Sequence, residues 1–165
     1  MNFLIVLVAG LVPALLGMIW YHPSLFGKAW QNEVGHTDEK VAAMRSKMML
    51  NMVIMIVFSI FIAFMLMPIV NHQWGVFSLL ENQPGMHDDP PSNPDFKMMM
   101  DKYGTNFRSF GHGALHGLIT GLLFVFPLIR LTTLWEGKSW KFVFIQAGYW
   151  ILSLILMGGI ICQWA

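Results

Sequence analysis

The chain has 165 residues, of which 56 % are hydrophobic and only 12 % are charged, and its formal net charge is +1. Soluble domains carry about 25 % charged residues, so this composition excludes an ordinary soluble domain and indicates a protein embedded in a membrane. The near-zero net charge argues against nucleic-acid binding. The single cysteine, Cys162, excludes a disulfide bond within the chain.

Four apolar stretches have the length of a bilayer crossing, which takes about 20 residues in a helix. Inside hydrocarbon the backbone must satisfy its own hydrogen bonds, which favours helices. We therefore predict an all-α integral membrane protein with four transmembrane helices in two related hairpins and short interfacial helices. The whole chain, 1–165, forms a single membrane domain, with an outer loop at 71–109. The predicted spans are 3–20, 48–70, 110–130 and 142–161.

The basic residues are unevenly distributed over the loops. The loops after the first and third spans hold most of the Lys and Arg, whereas loop 71–109 mixes a few basic residues with five acidic ones. Cytoplasmic loops are enriched in Lys and Arg. We therefore predict a multi-pass protein of a bacterial inner membrane, with both termini and the long loop outside.

The first span carries Gly10 and Gly17, small residues that permit close helix packing. It ends in an aromatic and basic sequence typical of the headgroup region, and a similar sequence follows the third span. Residues 25–34 are predicted to form an interfacial helix, and Thr37 is predicted to begin the helix that leads into the second span. The predicted interfacial anchors are Trp20, Tyr21, Lys28, Trp30, Trp135, Lys138 and Trp140.

The second span presents methionines on one face, at positions 44, 48, 52 and 55. Such a stripe can bind Cu(I), but it is more often pliable filler in a helix interface. In the following loop, Asn93, Pro94 and Gly104 mark the start and end of a short helix. Its apolar face is predicted to rest on the membrane, to cover the mouth of the bundle or to dock on another protein.

The third span combines two stripes that recur every fourth residue. Gly113, Gly117 and Gly121 form a smooth stripe that suits contact with another helix. His112, His116 and Thr120 form a polar stripe about 100° around the helix from it. A span with these two faces is predicted to lie against protein and not against lipid.

The two cytoplasmic turns have similar sequences, since LFGKAW at 25–30 matches LWEGKSW at 134–140 when one inserted Glu is allowed. The sequence GMIWYHPSLFGKAW at 17–30 resembles the signature of a bacterial membrane family named domain of unknown function 1761. The stretch from EGKSW at 136–140 through AGY at 147–149 to Met157 and Gly158 is similar to the other half of that family. The resemblance implies a small four-helix membrane protein and supplies no activity and no functional residues.

At about 1.5 Å per helical residue, His116, Ser153 and Ser59 reach a similar depth in the outer half of the bilayer. A buried imidazole needs a hydrogen-bond partner, so the sequence predicts a polar layer of these three residues. The candidate polar site is His112, His116, Thr120, Ser153 and Ser59.

A metal site is the alternative, because His112 and His116 are four residues apart on one helix face and two further histidines, His72 and His87, are also predicted outside. A proton relay is the third hypothesis for the histidines. The inner half of the membrane, however, offers too few ionisable groups for such a relay. Our preferred interpretation is a packed histidine that is hydrogen-bonded to a neighbouring helix, with no catalytic, cofactor-binding or metal residues.

The sequence therefore favours a non-enzymatic membrane protein without a cofactor. It is predicted to act through helix packing, as an accessory or structural subunit or as a homo-oligomer. Its predicted partners are the lipid bilayer and other membrane subunits, or further copies of itself. The alternative is a binding or transport protein for a small ligand or metal at the polar layer around His112 and His116.

Overall fold

The computed structural model describes residues 2–165, and this part of the chain contains helices and turns but no strand. Apolar runs dominate these helices, as expected for a chain that must satisfy its backbone internally. The α-helices are α1 Phe3–Ala9, α2 Val12–Trp20, α3 Gly27–Val34, α4 Asp38–Met44, α5 Met48–Val70, α6 Gln73–Leu80, α7 Pro94–Tyr103, α8 Phe110–Thr120, α9 Phe126–Leu134 and α10 Trp140–Trp164.

Four helical units are long and apolar enough to cross a membrane, which confirms the predicted class. Span one is broken between α1 and α2, where Pro13 falls in the first turn of α2 and lacks an N–H group. Span two joins α4 to α5 through a 3₁₀ turn. The four spans are Phe3–Trp20, Asp38–Val70, Phe110–Leu134 and Trp140–Trp164.

Span three contains a π-helical segment, Gly121–Val125, between α8 and α9. Pro127 follows within the first two residues of α9 and has no N–H to donate to the carbonyl of Leu123 one turn earlier. The wider turn is the local adjustment to this missing hydrogen bond. It leaves Leu123 and Phe124 exposed on the side of the bundle.

Asn2 and Ala165, the first and last described residues, lie at the same end of the bundle. The Asn2 amide donates to the carbonyl of Ala165 across 3.0 Å, and the Phe110 amide at the start of α8 donates to the Gln163 side chain across 3.0 Å. We call this end the terminal end, and the opposite end, with the 21–37 and 135–139 connections, the turn end. Loop 71–109 lies at the terminal end, as an even number of crossings requires.

Span four is the centre of the bundle, and its contact with α8 is the closest in the molecule. A Cβ atom added to Gly113 would lie 2.1 Å from the carbonyl oxygen of Gly158, and one added to Gly117 would lie 2.1 Å from that of Leu154. Such distances show that the two backbones touch. In lipid, where apolar surface gains little from association, this close packing is what holds helices together.

The other predicted packing glycines lie in different contacts. A Cβ on Gly121 would be 2.9 Å from Ile151, and one on Gly10 would be 2.7 Å from Ile60 of span two. Gly17 has ordinary van der Waals space, with the Tyr149 hydroxyl 3.5 Å away. Gly10 therefore packs span one against span two, while Gly113, Gly117 and Gly121 pack span three against span four.

The aromatic residues of the turn end form hydrogen bonds and ring contacts between the two hairpins. The Trp20 indole donates to the carbonyl of Ile145 across 3.1 Å, and the Tyr21 hydroxyl donates to the side chain of Gln146. Burial raises the pKa of Tyr21 well above its usual range, so this hydroxyl remains a donor. Trp30 packs edge-on against Tyr21 with ring centroids 5.7 Å apart.

The second turn is more exposed. Trp135 is 92 % exposed, whereas Trp140 lies under the guanidinium of Arg130 at 4.3 Å. The Lys138 ammonium lies 5.6 Å from the Phe142 ring, and Lys28 is exposed at the start of α3. The aromatic anchors of the first turn are therefore packed, whereas Trp135 and Trp140 of the second turn are exposed.

The terminal end is covered by α6 and α7. The α7 helix is confirmed, with the Asn93 side chain accepting from the Phe96 amide at 3.0 Å. The α6 helix was not predicted. The apolar face of α7 contacts α6, with the Phe96 and Phe77 rings 6.2 Å apart. The α6 helix therefore covers part of the apolar face that the sequence assigned to the membrane, the mouth of the bundle or another protein.

Candidate metal site

Three histidines from two separate elements meet at the terminal end. Span two ends at Val70, and Asn71 is extended, with φ −110° and ψ 100°, so the chain turns out of the helix and carries His72 toward span three. His112 and His116 lie one turn apart on α8. That helix is capped by Ser109, whose hydroxyl oxygen accepts from the His112 amide at 3.3 Å.

The imidazole nitrogens of these residues converge on one point. The Nε2 atoms of His72 and His112 are 2.8 Å apart, and those of His112 and His116 are 3.1 Å apart. One nitrogen of each ring lies within 4.8 Å of the others. His72 is exposed and the other two are half-buried, so the cluster is open to the terminal end. We call these three residues the histidine cluster.

Hydrogen bonds among the three rings cannot satisfy all three nitrogens well. The Nε2 atom of His112 faces two neighbours, but a neutral imidazole nitrogen offers either one proton or one lone pair. It can therefore make one linear hydrogen bond and at best share a second. A cation at the centre of the cluster would be ligated by all three lone pairs at once, which removes this conflict.

The spacing of the nitrogens suits a small transition-metal ion. Zinc–nitrogen bonds of about 2.05 Å in tetrahedral geometry place ligand nitrogens about 3.3 Å apart. Two separations, 2.8 and 3.1 Å, are below this value, and the third, between His72 and His116, is within 4.8 Å. Side-chain rotations would bring all three separations toward the tetrahedral value. Three histidines also leave one coordination position open for water or another ligand.

Phe107 packs against the histidine cluster from the loop that precedes α8. Its ring centroid lies 5.0 Å from that of His112 and 5.7 Å from that of His72. Its backbone is left-handed, with φ 61°, a conformation that costs a bulky residue about 1–3 kcal/mol. The Cys162 thiol donates to the Phe107 carbonyl across 3.2 Å and helps to hold it there.

A surface pocket of about 320 Å³ adjoins the cluster on the side of α6 and α7. His72 and Phe107 belong to both the cluster region and the pocket wall. The rest of the wall is formed by Met99, Met100 and Tyr103 of α7 together with Gln73, Val76 and Asn106. The pocket connects His72 to the surroundings and gives a small ligand a path to it.

The other residues of the predicted polar site form no hydrogen bond with the imidazoles of the histidine cluster. The Thr120 hydroxyl donates to the carbonyl of His116 at 2.8 Å, and the Ser153 hydroxyl donates to that of Tyr149 at 2.9 Å. Ser59 is buried and has no hydrogen-bond partner in residues 2–165. The ring of His116 is paired with His112, and neither serine is hydrogen-bonded to it.

The sequence indicated His112 and His116 as a possible metal-binding pair and named His72 only as a possible additional ligand. His72 joins the cluster, but His87 is exposed and is not part of it. Phe107 was missed, because no local pattern indicates a left-handed phenylalanine. The only sequence signal for His72 is its place directly after the apolar run of span two.

Comparison with known proteins gives one match. A family model described as protein of unknown function (DUF1761) matches residues 4–162. No curated protein and no solved structure matches the chain.

Proposed function

The chain belongs to the DUF1761 family of proteins of unknown function, and we propose that it is a membrane protein that binds one transition-metal ion at the histidine cluster. A metal site was the alternative that the sequence left open beside a packed histidine. The observation that carries it is the convergence of His72, His112 and His116, with one nitrogen of each within 4.8 Å of the others.

The donor set indicates which ions suit the site. Imidazole nitrogen binds zinc, copper, nickel and iron well, whereas magnesium and calcium require oxygen ligands. The cluster contains no carboxylate and no thiolate, and a three-histidine set with one open position is a known zinc arrangement. We propose Zn²⁺ as the reference ion, with a bound water at the open position.

The proposed role is binding, without a chemical transformation. The excess of Lys and Arg in the loops of the turn end supports a cytoplasmic location for that end. In a bacterial inner membrane the termini and the histidine cluster would then face the outside. A shallow and open site at that surface suits capture of an ion from the external medium.

Metal-free protein in detergent is expected to bind one Zn²⁺ per chain, and isothermal titration calorimetry with metal analysis after gel filtration checks this. Ca²⁺ is the matched control ion, because it prefers oxygen ligands, and it is expected to give no binding signal. A protein that binds no Zn²⁺, or binds Zn²⁺ and Ca²⁺ equally, contradicts the proposal.

A second candidate role is self-association or assembly into a larger complex, and it is favoured by Asn51. This residue is exposed on α5, about one turn inside its first residue, and its neighbour Met49 is 82 % exposed. An amide on a lipid-facing surface gains from a hydrogen bond to another helix. A second copy of α5 offers the matching amide.

Asn51→Leu is expected to weaken a dimer by about 5- to 30-fold in its dissociation constant, the equivalent of about 1–2 kcal/mol for one interhelical hydrogen bond. Sedimentation in detergent over a range of protein concentrations measures it. Met49→Leu is the control, since it changes an exposed apolar neighbour without removing a polar group. Wild-type protein that stays monomeric at all concentrations rules out self-association.

A further inference from the structure

A long apolar groove runs down the side of the bundle between span two and span three. Its volume is about 940 Å³. Residues from Phe58 to Ile69 form one wall, the stretch from Ile119 to Ile129 forms the other, and Trp150 and Leu154 of span four form its floor. We infer that this groove holds one acyl chain of a phospholipid from the leaflet at the terminal end.

The length and height of the groove match one leaflet. The wall from Phe58 to Ile69 rises by about 16 Å at 1.5 Å per residue, and half of a 30 Å hydrocarbon core is about 15 Å. Ile69 is one residue from the end of α5, so the groove begins near the terminal boundary and ends near the midplane. A single acyl chain of that leaflet has the same reach.

The walls do not suit a transmembrane helix. Helices pack closely in membranes where small residues let the backbones approach, and this protein does so between Gly113 and Gly158. No glycine, alanine or serine is found among the described residues that line the groove, and Phe58, Phe61 and Phe124 stand at its edges. Bulky side chains around a continuous gap fit a thin flexible chain better than a second helix.

The upper end of the groove meets the histidine cluster. Thr120 lines the groove and lies one turn from His116 on the same stripe of α8, and Ile69 lies three residues before His72. A lipid whose chain fills the groove would therefore place its phosphate near the height of the imidazoles. The open flank, with the exposed Leu123 and Phe61, is continuous with the lipid-facing surface and lets the chain enter sideways.

The inference is tested with protein in phosphatidylethanolamine–phosphatidylglycerol vesicles that contain a trace of phosphatidylcholine with a diazirine on one acyl chain. After illumination, mass spectrometry of peptides locates the cross-links. The expected result is at least fivefold more label per residue on the groove walls than on Leu131 and Phe144, which are exposed outside the groove. Equal labelling of all lipid-facing residues overturns the inference.

Ile119→Trp fills the groove and is expected to lower its labelling at least fivefold. Leu131→Trp is the matched control on the same span, because Leu131 is 63 % exposed and does not line the groove, and it is expected to label like the wild type. Leu123→Trp serves as a second filling variant, since Leu123 lines the groove and is 75 % exposed.

Two further outcomes overturn the inference. One is a groove that cross-links to a second copy of the chain in place of lipid, and the other is unchanged labelling in both filling variants. The His116→Ala variant tests the two sites independently, because it is expected to lose Zn²⁺ binding and to keep the wild-type labelling of the groove. Failure of the metal site and failure of the lipid site are therefore distinguishable.

Discussion

Replacing Gly117 with alanine is expected to destabilise the fold by about 3 kcal/mol or more. The new Cβ would lie 2.1 Å from the carbonyl oxygen of Leu154 and 2.6 Å from its carbonyl carbon. Overpacking costs about 1–3 kcal/mol where neighbouring side chains can shift, but the obstructing atoms here belong to the backbone of another span. The α8 and α10 helices must move apart, which also loosens the contact between Gly113 and Gly158.

Gly111→Ala is the matched control on the same helix. No atom lies within 4 Å of a Cβ at Gly111. Alanine is favoured over glycine by about 0.5–1 kcal/mol in a helix interior, and a smaller gain is expected at Gly111, the second residue of α8. The two substitutions are therefore expected to act in opposite directions. Unfolding in increasing dodecyl sulfate, followed by circular dichroism, compares them. Identical midpoints for the two variants would mean that α8 and α10 do not touch at Gly117.

The four-span architecture could be predicted from sequence because its signals are local. Apolar length identifies a membrane helix whatever lies next to it, and the caps formed by Thr37 and Asn93 depend on residues within one turn. The stripe of Gly113, Gly117 and Gly121 indicated a contact face on span three. The sequence did not indicate which span this face contacts, because that choice depends on the whole bundle.

The repeated turn motif shows where local reasoning fails. Gly27 of the first copy is helical and packs so closely that a Cβ would lie 2.2 Å from the Tyr21 carbonyl oxygen. Gly137 of the second copy is left-handed, with φ 65°, and has open space around it. These similar sequences of six and seven residues therefore adopt different backbones, and only the first copy packs closely against its own hairpin.

The candidate site could be predicted only in part for the same reason. His112 and His116 share a helix face by spacing alone, but His72 is 40 residues from His112 along the chain. Their contact depends on the extended backbone of Asn71, which the apolar pattern does not indicate. The sequence therefore indicated a histidine pair, and the fold adds the third nitrogen that makes metal binding the better proposal.

His112→Ala is expected to weaken Zn²⁺ binding by at least 100-fold, the equivalent of about 2.7 kcal/mol. His112 is the central ligand, with its Nε2 atom 2.8 Å from that of His72 and 3.1 Å from that of His116. Without His112, only His72 and His116 remain as ligands for the ion. Isothermal titration of metal-free protein measures the loss, and His87→Ala, outside the cluster, is expected to bind like the wild type.

Thermal unfolding separates this proposal from a purely structural histidine pair. An ion that binds only the folded state stabilises it by about 2.7 kcal/mol when its free concentration is 100 times the dissociation constant. Zn²⁺ is therefore expected to raise the melting temperature of the wild type and of His87→Ala, and to leave that of His112→Ala unchanged. If His112→Ala melts earlier than the wild type but gains the same stabilisation from Zn²⁺, the cluster supports packing and the ion binds elsewhere.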